Sequence, residues 1–223
     1  MKKIITLFFT FCLLSSCNKR VVQLPETTNK DITEVVDVSP VYMFYDEEND
    51  SIEFNRRNMI SATNWLVNID KRLTLKQILP HLQYLQEKRQ GDEKHSFHNY
   101  FTCNNIELKN LSFIEFTDID FQINHTNKLE PEFSSENYLG EVKFNSLGQI
   151  EIKSEFENHI EIEEYDFNSF FKLIDTLVES GKLTIKLSFN SKLSFQDYIS
   201  IKSKLLSVKS NGLEVLNQEI IYN

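Results

Sequence analysis

The sequence predicts an α+β protein made of two small sheet-plus-helix units, arranged as a degenerate duplication. Three observations carry that reading. Several short stretches alternate apolar and polar residues, the period of a half-buried strand. Three other stretches bring apolar residues back every three or four positions, the period of an amphipathic helix. The composition is rich in Phe (18) and Tyr (8) and poor in Gly (5) and Pro (4), which favours an ordered, strand-rich body over disorder.

The chain opens with a basic start, Met1-Lys2-Lys3, and the apolar run Ile4 to Leu14. Small residues follow, Ser15-Ser16, and then Cys17. A basic start, a short apolar run and small residues before a cut are the parts of a secretory signal. A membrane-spanning helix needs about 20 apolar residues, so this run targets rather than spans. Leu14-Ser15-Ser16-Cys17 resembles the bacterial lipobox. That resemblance implies cleavage between Ser16 and Cys17 and acylation of the Cys17 thiol by palmitate-type chains. Each buried methylene then contributes about 0.8 kcal/mol to anchoring. Asn18 follows the cysteine, where enteric inner-membrane retention has an aspartate, and no acidic export run follows. The periplasmic face of the outer membrane is the expected address.

Four segments are expected: signal peptide 1–16, lipidated tether 17–40, first unit 41–137 and second unit 138–223. Without the signal, 22 basic face 33 acidic residues, a net of −11. Such a surface argues against nucleic acid and against anionic lipid heads. Residues 18–40 are polar, carry Pro25 and Pro40, and read as a tether of roughly 26 Å mean span. With Cys12 in the signal and Cys17 acylated, only Cys103 remains, so stability must come from packing. Cys103 reads as a half-buried strand residue.

In order, the body begins at Val41, turns at the acidic run Asp46 to Asp50, and returns as Ser51 to Phe54. The turn lacks the alternation and glycine of a calcium loop. Trp65, Val67 and Ile69 alternate as a strand. Thr74 and Gln77 have capping-box spacing, ahead of a helix with Leu75, Ile78, Leu79, Leu82 and Leu85 on one face and Pro80 near its start. Strands are expected over 99–109 and 111–123, a polar loop over 124–137, and a hairpin around Gly148. Phe167 to Val178 is a helix stopped at Gly181. Leu183 to Phe189 is a strand, Ser194 and Asp197 repeat the capping-box spacing, a helix runs to about Lys209, and Leu213 to Tyr222 closes the chain as a strand.

Shifting residues 65–85 by 120 lays them on 185–205. Trp65, Val67 and Ile69 meet Ile185, Leu187 and Phe189, and Thr74 and Gln77 meet Ser194 and Asp197. Strand, turn, cap and helix agree throughout, the signature of an internal repeat. Gln149-Ile150-Glu151-Ile152, Leu183 to Leu187 with Asn190, and Phe195 to Ile199 resemble the periplasmic domain of the ExbD/TolR family. The resemblance covers about 140–223 and implies a domain that dimerises and contacts envelope proteins or peptidoglycan. The family's motor aspartate lies in a membrane helix and has no counterpart here, so proton coupling does not carry over.

Other chemistry is thinner. His95, His98 and Cys103 are zinc-ligand types at no standard spacing. Glu161, Glu163, Glu164 and Asp166 are close in sequence, but Glu161 and Glu163 alternate with Ile160 and Ile162 and read as a solvated strand face. His81 and His159 have no evident partner, and Trp65 and Tyr84 read as core before sugar platform. No catalytic residue, metal or cofactor is assigned. The expected function is a lipid-anchored, non-enzymatic binding or scaffolding role in the envelope, accessory to an ExbD/TolR-type transport system. The alternative is an envelope hydrolase or glycan-binding lipoprotein.

Overall fold

The computed structural model describes residues 20–90, 97–124, 138–156, 159–209 and 212–223. Two six-stranded sheets are present, and each unit has the same central order. In the first, β2 (Val38–Asp46) pairs antiparallel with β3 (Ser51–Asn55) and parallel with β4 (Asn64–Ile69). Helix α1 (Leu75–Gln90) then leads to β5 (Asn99–Asn105), parallel to β4. Two more strands join β5: β6 (Asn110–Glu115) antiparallel and the short β1 (Glu26–Thr27) parallel. In the second sheet, β8 (Tyr138–Ser146) pairs with β9 (Gln149–Phe156), and β10 (His159–Tyr165) extends that hairpin. Helix α2 (Phe167–Ser180) follows, then β11 (Leu183–Asn190) parallel to β8, helix α3 (Phe195–Lys209), and β12 (Leu213–Tyr222) parallel to β11. The orders β3-β2-β4-β5 and β9-β8-β11-β12 match strand for strand. The first unit has no counterpart of α2.

The units meet through reciprocal backbone bonds. Leu75 N–H donates to the Leu193 carbonyl (2.9 Å), and Phe195 N–H donates to the Leu73 carbonyl (2.7 Å). Lys76 bonds Ser191 (2.8 Å) and Gln196 bonds Lys71 (3.1 Å) in the same way. Thr74 and Ser194 form an antiparallel bridge at the centre. Residue i of one unit meeting j of the other, and j meeting i, is the pattern of an isologous interface inside one chain. Both helices start on the expected box: the Gln77 side chain accepts from Thr74 N–H (2.8 Å), and Asp197 from Ser194 N–H (3.3 Å).

One core spans both units. Tyr198 of α3 lies edge-on to Phe189 of its own sheet (5.1 Å) and to Phe101 of the other (6.0 Å). Each such side chain, fully buried, contributes about 1.5–3 kcal/mol.

Three sequence expectations need correction. The tether 17–40 is partly docked: Pro25 and Thr27 are buried, and their carbonyls accept from Asn104 (2.8 Å) and Ile106 (3.1 Å). Strand β2 begins at Val38, because Pro40 needs no N–H at its place in the ladder. The expected strand 111–123 is split by a turn, and its second half, β7 (Asp120–Asn124), pairs parallel with β12 in the second unit's sheet. Side chains explain that transfer. Gln83 of α1 donates to the Phe121 carbonyl (3.0 Å), and Gln86 bonds the Ile119 carbonyl and the Phe121 amide. Gln196 of α3 does the equivalent for β1, bonding both amide and carbonyl of Glu26 (2.8 and 3.0 Å). Each unit's helix thus holds a short strand on the other unit's sheet.

Candidate functional site

The helices pack on the inner face of each sheet: Phe54 of β3 meets Tyr84 of α1, and Phe144 of β8 meets Phe170 of α2. The outer faces are where the units diverge. In the first unit Pro40, Tyr42 and Phe44 of β2, Leu66 of β4 and Tyr100 of β5 fall on the outer face, all half-buried. Tyr42 and Phe44 are stacked (5.6 Å, 15°). Burial, then Glu115, pushes the Tyr100 hydroxyl above its ordinary value. The matching positions in the second unit are Glu141, Lys143, Asn145 and Lys186. There Lys143 pairs with Glu141 (3.8 Å) and lies over the Tyr222 ring (5.9 Å). Ser188 donates to Glu141, Asn145 to Glu151, and Tyr222 to Asn145. One outer face sets aromatic and apolar side chains among Glu53, Asn55, Asn68 and Glu115; the other bonds its polar side chains to one another.

The inner faces diverge at one place too. Tyr198 donates to Glu219 (2.8 Å), and Lys202 pairs with the other oxygen of the same carboxylate. Glu219 is 1% exposed and Lys202 is 8% exposed. By the strand registers and the 120-residue shift, the first unit holds Ile78, Leu82 and Phe101 in these places, all buried. Lys202 and Glu219 form part of the wall of a cleft of about 330 Å³, together with Asp31, Phe113, Glu115 and Asp118. Each charge of the pair already has its partner, so the pair ties α3 to β12 rather than offering a free acid or base.

The sequence-predicted residues are scattered. Ser16, Cys17 and His95 lie outside the described residues. His98 bonds Glu115 (2.5 Å), while Cys103 is wholly buried with its thiol pushed up to about 12 by burial, so the two do not converge. Among the described residues no group of three or more His, Cys, Asp or Glu could hold a metal ion. Asp166 caps α2, accepting from Asn168 and Ser169 amides (2.9 and 3.1 Å). Those bonds hold its carboxyl below the usual range. His81 packs at a tilt on Phe54 (4.6 Å), and burial, then Arg56, lowers its pKa. Tyr84 lies under Arg56 (4.4 Å). Trp65 is core, with Arg89 over its ring (3.7 Å). Glu161, Glu163 and Glu164 are exposed on β10, as expected of a solvated strand face, and Ile162 is exposed as well, which the alternation does not predict. Sequence reasoning missed Glu219. The available signal was an acid set directly before the apolar pair Ile220-Ile221 in a closing strand.

No family model, curated protein or solved structure matches this chain. No helix among the described residues is long and apolar enough to cross a membrane.

Proposed function

We propose that this chain is a lipid-anchored cell-envelope protein with a non-enzymatic binding or scaffolding role, accessory to a biopolymer-transport system of the ExbD/TolR type. The observation that carries the reading is Leu14-Ser15-Ser16-Cys17 behind a basic start and an apolar run too short to span a bilayer. Acyl chains on Cys17 would hold the body at the periplasmic face of the outer membrane. The open aromatic face of the first unit supports binding as the work done there. Cys17→Ser tests the anchor: the protein should leave the membrane fraction or stay unprocessed, and unchanged membrane association would contradict it. Crosslinking in the native envelope tests the role. A motor component or cell-wall material should be recovered, and recovery of neither would sink it.

Tyr42, stacked on Phe44 and in register between Asn55 and Asn68, favours a second reading, a glycan-binding lipoprotein, because aromatic rings with amides suit sugars. Co-sedimentation with purified cell-wall sacculi that Tyr42→Ala abolishes would favour it; no co-sedimentation would remove it.

A further inference from the structure

Five strands end the two sheets, and four of those edges are occupied or short. Strand β1 has only two residues, and Gln196 bonds the amide and carbonyl of its Glu26 (2.8 and 3.0 Å). Strand β7 has only five residues, and Gln83 and Gln86 bond the carbonyl and amide of its Phe121. Strand β6 has Phe113 N–H bonded to the Ile32 carbonyl (2.9 Å). Strand β3 has only five residues, and Gln77 bonds the Asp50 carbonyl in the turn before it (3.0 Å). Strand β10 differs. It is seven residues long, pairs on one side with β9, and ends its sheet with no strand on the other side among the described residues. A strand edge presents a row of unpaired amides and carbonyls, a template for another strand.

The side chains of β10 choose the partner. Glu161 and Glu163 share one face with Tyr165, and Ile162 and Glu164 share the other. Ile162 is 58% exposed, a large apolar side chain left in water at the centre of the edge. Opposite in β9 stand Ser154, Lys153, Ile152 and Glu151. Tyr165 donates to Glu163 (2.5 Å), and no basic side chain among the described residues pairs with Glu161 or Glu164. A second copy is disfavoured. Antiparallel pairing of two β10 strands about Ile162 would set Glu161 against Glu163 on both sides, and like charges directly opposite are destabilising. The charges that exclude self-pairing leave the edge open to the opposite sign.

We propose that the free edge of β10 takes an extended, basic segment of a partner protein by strand addition. The segment runs basic, apolar, basic, basic opposite Glu161, Ile162, Glu163 and Glu164. Main-chain bonds supply the attachment and the flanking charges supply selectivity. The proposal deepens, and rests on, the envelope-binding role above.

The test uses the full chain and a labelled peptide of about ten residues centred on Lys-Val-Lys-Lys. Fluorescence anisotropy should show saturable binding that weakens with added salt. Backbone amide shifts should move at 161–165. Glu161→Lys with Glu163→Lys should weaken that peptide about tenfold or more and favour a Glu-Val-Glu-Glu peptide instead, with unchanged melting of the protein. No binding, equal binding of both peptides by the parent chain, or shifts confined to the first unit would overturn the proposal. Acylation at Cys17 is scored separately. A chain acylated there that ignores the peptide defeats the edge proposal alone; a chain that binds the peptide but is not acylated defeats the lipoprotein reading alone.

Discussion

The first and second units share a strand order, a turn and a capped helix, yet differ on both faces of their sheets. On the inner face, Ile78, Leu82 and Phe101 stand where the second unit has Tyr198, Lys202 and Glu219. On the outer face, Pro40, Tyr42, Phe44 and Leu66 stand where it has Glu141, Lys143, Asn145 and Lys186. What is common is what the interface between units needs: the turn, the cap and the bonds across Thr74 and Ser194. What differs is what a duplicated fold leaves free. On β8 and β11 the second unit bonds its outer polar groups to one another, while the first leaves half-buried aromatic side chains in the matching places.

Breaking the inner-face difference should have the largest effect. Lys202→Met strands the buried Glu219 carboxylate and should cost about 3–5 kcal/mol in urea unfolding. Leu82→Met, its first-unit counterpart, should cost under about 1.5 kcal/mol. Replacing the polar triad with the first unit's residues (Tyr198→Ile, Lys202→Leu, Glu219→Phe together) should be neutral or stabilising, because a buried pair rarely outperforms good apolar packing. A triple variant as unstable as Lys202→Met would mean that the two inner faces are not interchangeable.

A smaller effect is expected on β8. Gly140 has φ +140°, and a Cβ there would sit 2.2 Å from the Lys153 carbonyl oxygen. Gly140→Ala should therefore cost about 2–3 kcal/mol. Ser39 holds the same place in β2, and its hydroxyl accepts from Ile60 N–H (3.0 Å) and Thr63 (2.8 Å). Ser39→Ala should cost about 1–2 kcal/mol by stranding those donors. Equal tolerance at both sites would erase the close approach of Gly140 to Lys153 as a real difference between the units.

The smallest effect separates the two turns by pH. Asp70 directly follows β4, at the place where Asn190 ends β11. Burial works against the Asp70 carboxylate, but Arg72 and the Gln23 and Arg72 amides outweigh it and hold its pKa below 3.8. A depressed carboxylate stabilises the fold above its unfolded pKa, and that contribution fades as pH falls through the folded value. Asn190 has no such dependence. Melting temperature should fall less steeply below about pH 4 in Asp70→Asn than in the parent. A parallel fall in both would remove Asp70 from the acid response.

Local features were legible in the sequence because local chemistry decides them. The acidic turn after β2, both capping boxes, the stop at Gly181 and the bounds of β12 follow from residues within a few positions of each feature. Partner choice was not legible. Strand β7 sits in the second unit's sheet because Gln83 and Gln86, more than 30 residues earlier, bond its backbone. Pro25 and Thr27 lie in a stretch polar enough for a tether, and it docks through the backbone of Asn104 and Ile106 and the Gln196 and Ser203 side chains of α3, all far away in sequence. The exposure of Glu161 and Glu163 could be read from alternation, but the open edge beneath them required the order of the whole sheet.

The most direct test of the account lies at the other end of the chain. Intact-mass analysis of the amino-terminal fragment from membranes of the native host should find it beginning at Cys17, with a diacylglyceryl group on the thiol. A fragment that begins at Met1, or at an unmodified Cys17, would contradict the lipid anchor and with it the envelope role.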